Sequence, residues 1–140
     1  VYKRQIQASY ASRTMRWSGV IVFFFILFHL AHFTVRVIHP EYNEWTTQLL
    51  DGTEVRDVYR MIVVGFSSPI VSGFYIISIA LLSLHLSHGF SSLFQSLGLR
   101  TEGWGGFLDK LSVILAWGYF LGNAALPLYC MFVLKDKVLP

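Results

Sequence analysis

From Trp17 to Val35, and again from Met61 to Leu99, the chain carries no Asp, Glu, Lys or Arg. Runs this long without charge leave few folds open. About 20 apolar residues in an α-helix cross the roughly 30 Å hydrocarbon layer, and the helix pairs every backbone polar group internally. The first run predicts a span from about Trp17 to Ile38, with an unbroken apolar core from Val20 to Phe28. The second span starts at Pro69, a good first-turn residue, and continues to about Leu97, longer than a bilayer needs. Its small, polar tail, Ser87–Gln95, is expected to emerge into the headgroups. A third span runs from about Phe107 to Leu134 and ends in Lys135, Asp136 and Lys137. It holds Gly118 and Gly122 in a small-xxx-small spacing and then Pro127, a pattern that permits close helix approach and a kink. The expected fold class is therefore all-α and integral to the membrane: a helix bundle whose single domain, residues 1–140, contributes three spans.

Composition agrees and removes several function classes. Only 14% of residues are charged against 54% hydrophobic, where soluble domains average about 25% charged. The net charge of +3 is small, and the aromatics interleave with Leu and Val instead of Lys and Arg, so nucleic acid is not an expected partner; lipid is. The lone Cys130 has no partner for an internal disulfide. Residues 1–16 lack the apolar core of a signal peptide, and the chain begins with Val1, which suggests processing or a longer polypeptide. Between the first two spans, residues 39–60 hold five acids (Glu41, Glu44, Asp51, Glu54, Asp57), turn residues at Asp51-Gly52, and an amphipathic stretch near Asp57–Val64. Lys3, Arg4, Arg13 and Arg16 precede the first span with no acid among them, so the positive-inside rule puts the N-terminal segment in the cytoplasm and the acidic loop outside.

Histidines are the unusual content of the spans. His29 and His32 lie in the first, His85 and His88 in the second, each pair spaced i, i+3 and with no carboxylate nearby. A lone histidine in an apolar helix is more often a hydrogen-bonded packing residue than a ligand. Two matched pairs favour a cofactor, because ionisable residues in hydrocarbon are costly and commonly functional. Neutral nitrogen donors without acidic company suit heme iron. Counted from Trp17, His29 lies about 18 Å from the inner face, and counted from Leu93, His85 lies about 12 Å from it. One heme needs two imidazoles at one level, so two hemes at two depths are expected, each taking its second histidine from another helix.

The residues then resemble a known family. Ser12-Arg13-Thr14-Met15-Arg16-Trp17-Ser18-Gly19, with His29 ten residues after the glycine, looks like the third helix of the diheme, b558-type cytochrome b subunit that anchors succinate dehydrogenase and fumarate reductase. Ser68-Pro69 through Gly73-Phe74-Tyr75, then His85-Leu86-Ser87-His88-Gly89 and Gln95-Ser96-Leu97-Gly98, resemble its fourth helix, and the last span its fifth. The resemblance covers nearly the whole chain. It implies five helices and two b hemes with bis-histidine ligation, of which this chain would hold the C-terminal three helices. His29 would ligate the heme nearer the outer face and His85 the one nearer the inner face, with His32 and His88 as alternates or supporting groups. Arg16, Ser18 and Arg13 would lie near a heme propionate or the quinone; an arginine fork suits a propionate.

The function implied is electron transfer in succinate:quinone oxidoreductase, in a bacterial cytoplasmic membrane. Electrons from succinate, oxidised on a flavoprotein subunit, would pass through an iron–sulfur subunit to heme b and then to a membrane quinone, menaquinone being the expected kind. The missing helices and their histidines would come from the N-terminal part of the subunit or from a second membrane chain. No catalytic residue of the dehydrogenase itself is expected here, since the chain has one cysteine and no Gly-x-Gly-x-x-Gly. Rival readings are a diheme cytochrome of the nitrate-reductase type and a histidine-based metal transporter, although a transporter would normally add carboxylates or thiolates.

Overall fold

Three helices long and apolar enough to cross a membrane organise the chain, covering Met15–Thr34, Pro69–Ser96 and Gly105–Lys137. The structure is a computed structural model that describes residues 10–138, and the side chains from Met15 to Lys137. Helix α1 (Tyr10–His29) runs on into a π-helical turn, Leu30–Thr34. A two-stranded antiparallel hairpin follows, β1 (Thr46–Gln48) and β2 (Glu54–Arg56), and then the short helix α2 (Val58–Ser67). Helices α3 (Pro69–Ser96) and α4 (Gly105–Tyr129) form an antiparallel pair; α4 passes through a second π turn, Cys130–Leu134, into α5 (Lys135–Val138).

Local chemistry accounts for the ends. The first span stops at Thr34 and not at Ile38 as the apolar run suggested. Val35, Val37 and Ile38 are β-branched and stiff in a helix, and Pro40 keeps His39 out of helical geometry, at φ −130° and ψ 79°. Arg36 makes the turn in the left-handed region, at φ 60°, and its Nε donates to Asn43 Oδ1 at 2.7 Å. The amphipathic stretch expected near Asp57–Val64 is α2, capped where Asp57 Oδ1 accepts from the backbone N–H of Arg60 at 2.8 Å. Ser68 is extended before Pro69, so the corner between α2 and α3 is set by the proline. Gly98, at φ 71°, ends α3, and the loop is tied down where Arg100 and Ser91 both donate to the Asp109 carboxylate, at 2.7 and 3.0 Å.

The β hairpin was not foreseen from Asp51-Gly52. Its turn closes because Asp51 Oδ1 accepts from the Thr53 N–H at 2.9 Å while Gly52 takes φ 83°. Strands of three residues carry almost no alternation to read.

Packing is uneven. The buried cluster of Val63, Phe66, Tyr75, Ile79 and Cys130 sits at the hairpin end, where α2 folds back onto α3 and the second π turn. Helix α4 buries Leu108, Ser112, Ala116, Ala124 and Pro127, a stripe of mostly small side chains, while α3 buries Ser72, Ser78 and Ser83. Ser83 and Ser112 return their hydroxyls to the carbonyls four residues back, which lets serine stand in an apolar contact. Gly118 and Gly122 are not part of this contact: a Cβ on either would meet nothing within 4 Å. Helix α1 is the least covered span, with 6% of its apolar window buried against 28% and 22% in the other two. Its Trp17, Phe23 and Phe24 are exposed.

Candidate functional site

The two histidine pairs lie on α1 and α3, and those helices are tied to each other by reciprocal contacts. His85 on α3 meets Ser18 on α1, with Nδ1 to Oγ 2.9 Å. The Ser18 hydroxyl also lies 3.0 Å from the Met15 carbonyl, and a carbonyl can only accept. One hydroxyl proton serves one acceptor: with that proton on the Met15 carbonyl, Ser18 would accept from Nδ1–H of His85. In that arrangement the His85 Nε2 lone pair is unused. Gly19 lies beneath the ring, where a Cβ would stand at ordinary contact distance, 3.7 Å, from His85 Cε1.

At the other end the roles of the helices reverse. Tyr75 on α3 places its hydroxyl 3.1 Å from Nδ1 of His32 and 3.5 Å from Nδ1 of His29, both on α1 or its π continuation. The longer contact is weak, but it too leaves Nε2 of His29 unengaged. Each helix thus lends a hydroxyl to a histidine of its neighbour. Orienting one ring nitrogen so that the other is available is the usual support for a metal-bound imidazole.

Levels follow from these contacts. Ser18 and His29 are eleven residues apart on α1, and Tyr75 and His85 ten apart on α3, which separates the two sites by about 15 Å along the bundle. Counting from Trp17 and Leu93 had suggested about 6 Å. The difference arises because α3 reaches the level of Ser18 already at His85. Its polar tail, Ser87–Ser96, therefore overhangs alongside the start of α1.

Members of each pair have different surroundings. His32 is 1% exposed, enclosed by Phe28, Phe33, His39, Tyr42 and Tyr75, with no room for a bulky ligand. His29 is accessible and lines a cavity of about 480 Å³ with Phe25, Met61, Phe66, Tyr75 and Leu126. That volume falls within the range of small-molecule and cofactor sites, about 300–1,000 Å³. Polar groups on its wall are few: His29, Tyr75, Tyr119 and Asn123. In the second pair His85 is half-buried and bonded, while His88 is exposed. A second cavity, about 320 Å³, lies between α3 and α4, lined by Ser83, Ser87, Ala116 and Trp117 among others and not by His85.

The remaining expected site residues divide. Ser18 is engaged with His85 and not directed at an anion. Arg16 is exposed two residues earlier. The side chain of Arg13, like Lys3 and Arg4, lies outside the described residues. Reading the sequence missed His39 and the part played by Tyr75. A phenol in the middle of an apolar span was the available signal, since a buried tyrosine hydroxyl usually finds a partner.

Among the described residues, no group of three or more His, Cys, Asp or Glu side chains is placed to hold a metal ion. The histidines here stand singly or in pairs: His29 and His32 share Tyr75, and His32 lies against His39. Comparison with protein-family models, with curated proteins and with solved structures finds no match to this chain.

Proposed function

We propose that the chain is the membrane-anchor cytochrome b subunit of a succinate:quinone oxidoreductase, carrying electrons from an iron–sulfur partner to a membrane quinone. The family rests on the sequence resemblance. One structural observation supports it most: Nε2 of His29 and of His85 are both left unengaged by hydroxyls from the facing helix, at levels about 15 Å apart. His29 and His85 would each give one ring nitrogen to heme iron, and bound heme would supply one-electron chemistry. The second imidazole of each site would come from helices outside this sequence, packing on the bare face of α1.

The chain's own residues set the surroundings of those nitrogens. Ser18 holds the His85 ring and fixes its proton on Nδ1. Tyr75 lies 3.5 Å from Nδ1 of His29, a weaker contact. Phe25, Phe33, Phe66 and Met61 keep the His29 cavity apolar and exclude water, which is a lever on redox potential. His32 supports Tyr75 from behind.

A diheme cytochrome of the nitrate-reductase type would use the same histidine geometry. A metal transporter has less support, because no cluster of ligating side chains lies on the described helices. The deciding experiment is a reduced-minus-oxidised spectrum of the purified membrane complex. Bands of b-type heme, with copurifying succinate-oxidising flavoprotein, are expected. A colourless complex would remove every cytochrome reading, and b bands without the flavoprotein would favour the nitrate-type one.

A further inference from the structure

Nε2 of His32 is buried without a hydrogen-bond partner, the one such side-chain atom among the described residues. An unpaired polar atom in an apolar interior costs free energy, and a buried group of that kind calls for an ion or a water. The ring stands in the π turn after α1, a distortion frequent at functional sites. Phe28 and Phe33 lie against it and offer no polar atom.

A second imidazole lies beside it. The chain doubles back to His39 through Arg36, held in the left-handed region at φ 60°. A residue other than glycine is strained there, and such strain clusters at functional sites. The His39 ring stands 5.4 Å from the His32 ring, centroid to centroid, with 43° between their planes. Each ring is supported at Nδ1 by an oxygen: His39 by Glu41 Oε1 at 2.7 Å, His32 by the Tyr75 hydroxyl at 3.1 Å. Neither Nε2 has a protein partner among the described residues. Metal-bound histidines are oriented in this way, with an oxygen on the ring nitrogen that does not ligate. Spacing agrees as well. A tetrahedral ion bonded to two imidazole nitrogens at about 2.0 Å holds the ring centroids about 5 Å apart.

We propose that His32 and His39 bind one divalent metal ion of the nitrogen-preferring kind, zinc or copper(II), between their Nε2 atoms, with water completing its coordination. Neutral imidazole favours these ions over calcium and magnesium, which take oxygen donors. The enclosure of His32 admits nothing larger than an ion or a water, while the partly exposed His39 gives the ion a way in from the aqueous side. Two protein ligands are fewer than the four of structural zinc sites, so the ion exchanges with solution. Bound, it clamps the 39–43 connection to the π turn and braces the imidazole that backs Tyr75. A water between the rings would also satisfy Nε2 of His32. The oxygen support on both outer nitrogens is what favours an ion.

The site does not depend on heme at His29 or His85, and neither does its test. The whole membrane complex is stripped with a chelator and equilibrated with zinc alone. Bound zinc is counted per chain and its surroundings are read by X-ray absorption at the zinc edge. The native complex should gain one zinc that His39→Ala lacks, with two imidazoles in a nearest shell at about 2.0 Å. His32→Phe should lack the same ion, and Glu41→Gln should hold it about 10–100-fold more weakly. Zinc should also raise the thermal unfolding midpoint of the native complex and not that of His39→Ala. His39 is a partly exposed loop residue, so its variant decides the matter if His32→Phe fails to assemble. A native complex that takes up no zinc overturns the site and leaves a water as the partner of Nε2. Uptake unchanged in His39→Ala overturns it too, since zinc held at His29 or His85 would survive that substitution.

Discussion

Replacing Ser18 by Ala removes one hydroxyl and nothing else, and the structure specifies the consequences. Nδ1–H of His85 loses its acceptor while the ring stays half-buried over Gly19. Hydrogen bonds between membrane helices average about 0.6 kcal/mol and reach about 2 kcal/mol. Leaving a donor unpaired costs more than the mean, so about 1–2 kcal/mol of α1–α3 association should be lost. The tautomer is also released: with Nδ1 no longer favoured, part of the population carries its proton on Nε2 and cannot ligate. Loss of a supporting group of this kind weakens metal binding by about 10–100-fold. Heme content per complex, its retention on dilution and the midpoint potential of the His85 site are the measurements. Ser18→Thr, which keeps the hydroxyl, should be close to native. Gly19→Ala is the control for space, since its Cβ would only reach ordinary contact distance from His85. A Ser18→Ala complex with native heme retention, potential and thermal stability would refute the assignment of His85 as an oriented ligand.

Three further outcomes are expected. His29→Ala and His85→Ala should each delete one b heme, with different potentials in the heme that remains, as read by redox titration; both hemes surviving either change would shift the ligand to His32 or His88. Gly65→Ala should destabilise the hairpin end by about 1–3 kcal/mol, because its Cβ would stand 2.9 Å from the Phe33 ring and 3.3 Å from the Tyr42 hydroxyl. Thermal unfolding compared with a Gly118→Ala variant, where the space is open, checks this. Burial, with help from the negative charge of Glu41, pushes the Tyr42 phenol up to about 12. A raised acid favours the folded state while protonated, so this contribution is complete below the phenol's ordinary pKa of about 10 and is lost as pH climbs toward 12. Unfolding followed across that alkaline window should show a slope in the native protein that Tyr42→Phe reduces.

The fold class was legible in the sequence because hydrocarbon permits one simple solution for a long charge-free run. Pro69 and Asp57 also announced their boundaries through backbone chemistry that acts within a few residues. The end of the first span was less legible. Apolarity continues to Ile38 while the helix stops at Thr34, since β-branching and Pro40 act on the backbone and hydropathy does not register them.

The sequence by itself determined that four histidines sit in two of three apolar spans, with no acids beside them. Only the tertiary structure decided which imidazole nitrogens are engaged, and by what. The pairing of α1 against α3 joins Ser18 to His85 and Tyr75 to His29 and His32, partners separated by 43 to 67 residues. A one-residue change of register between two helices turns such side chains through about 100°, and hydropathy is blind to that rotation. The level of each site, the burial of His32 and the approach of His39 to it all follow from this register and from the fold-back of the 39–57 connection.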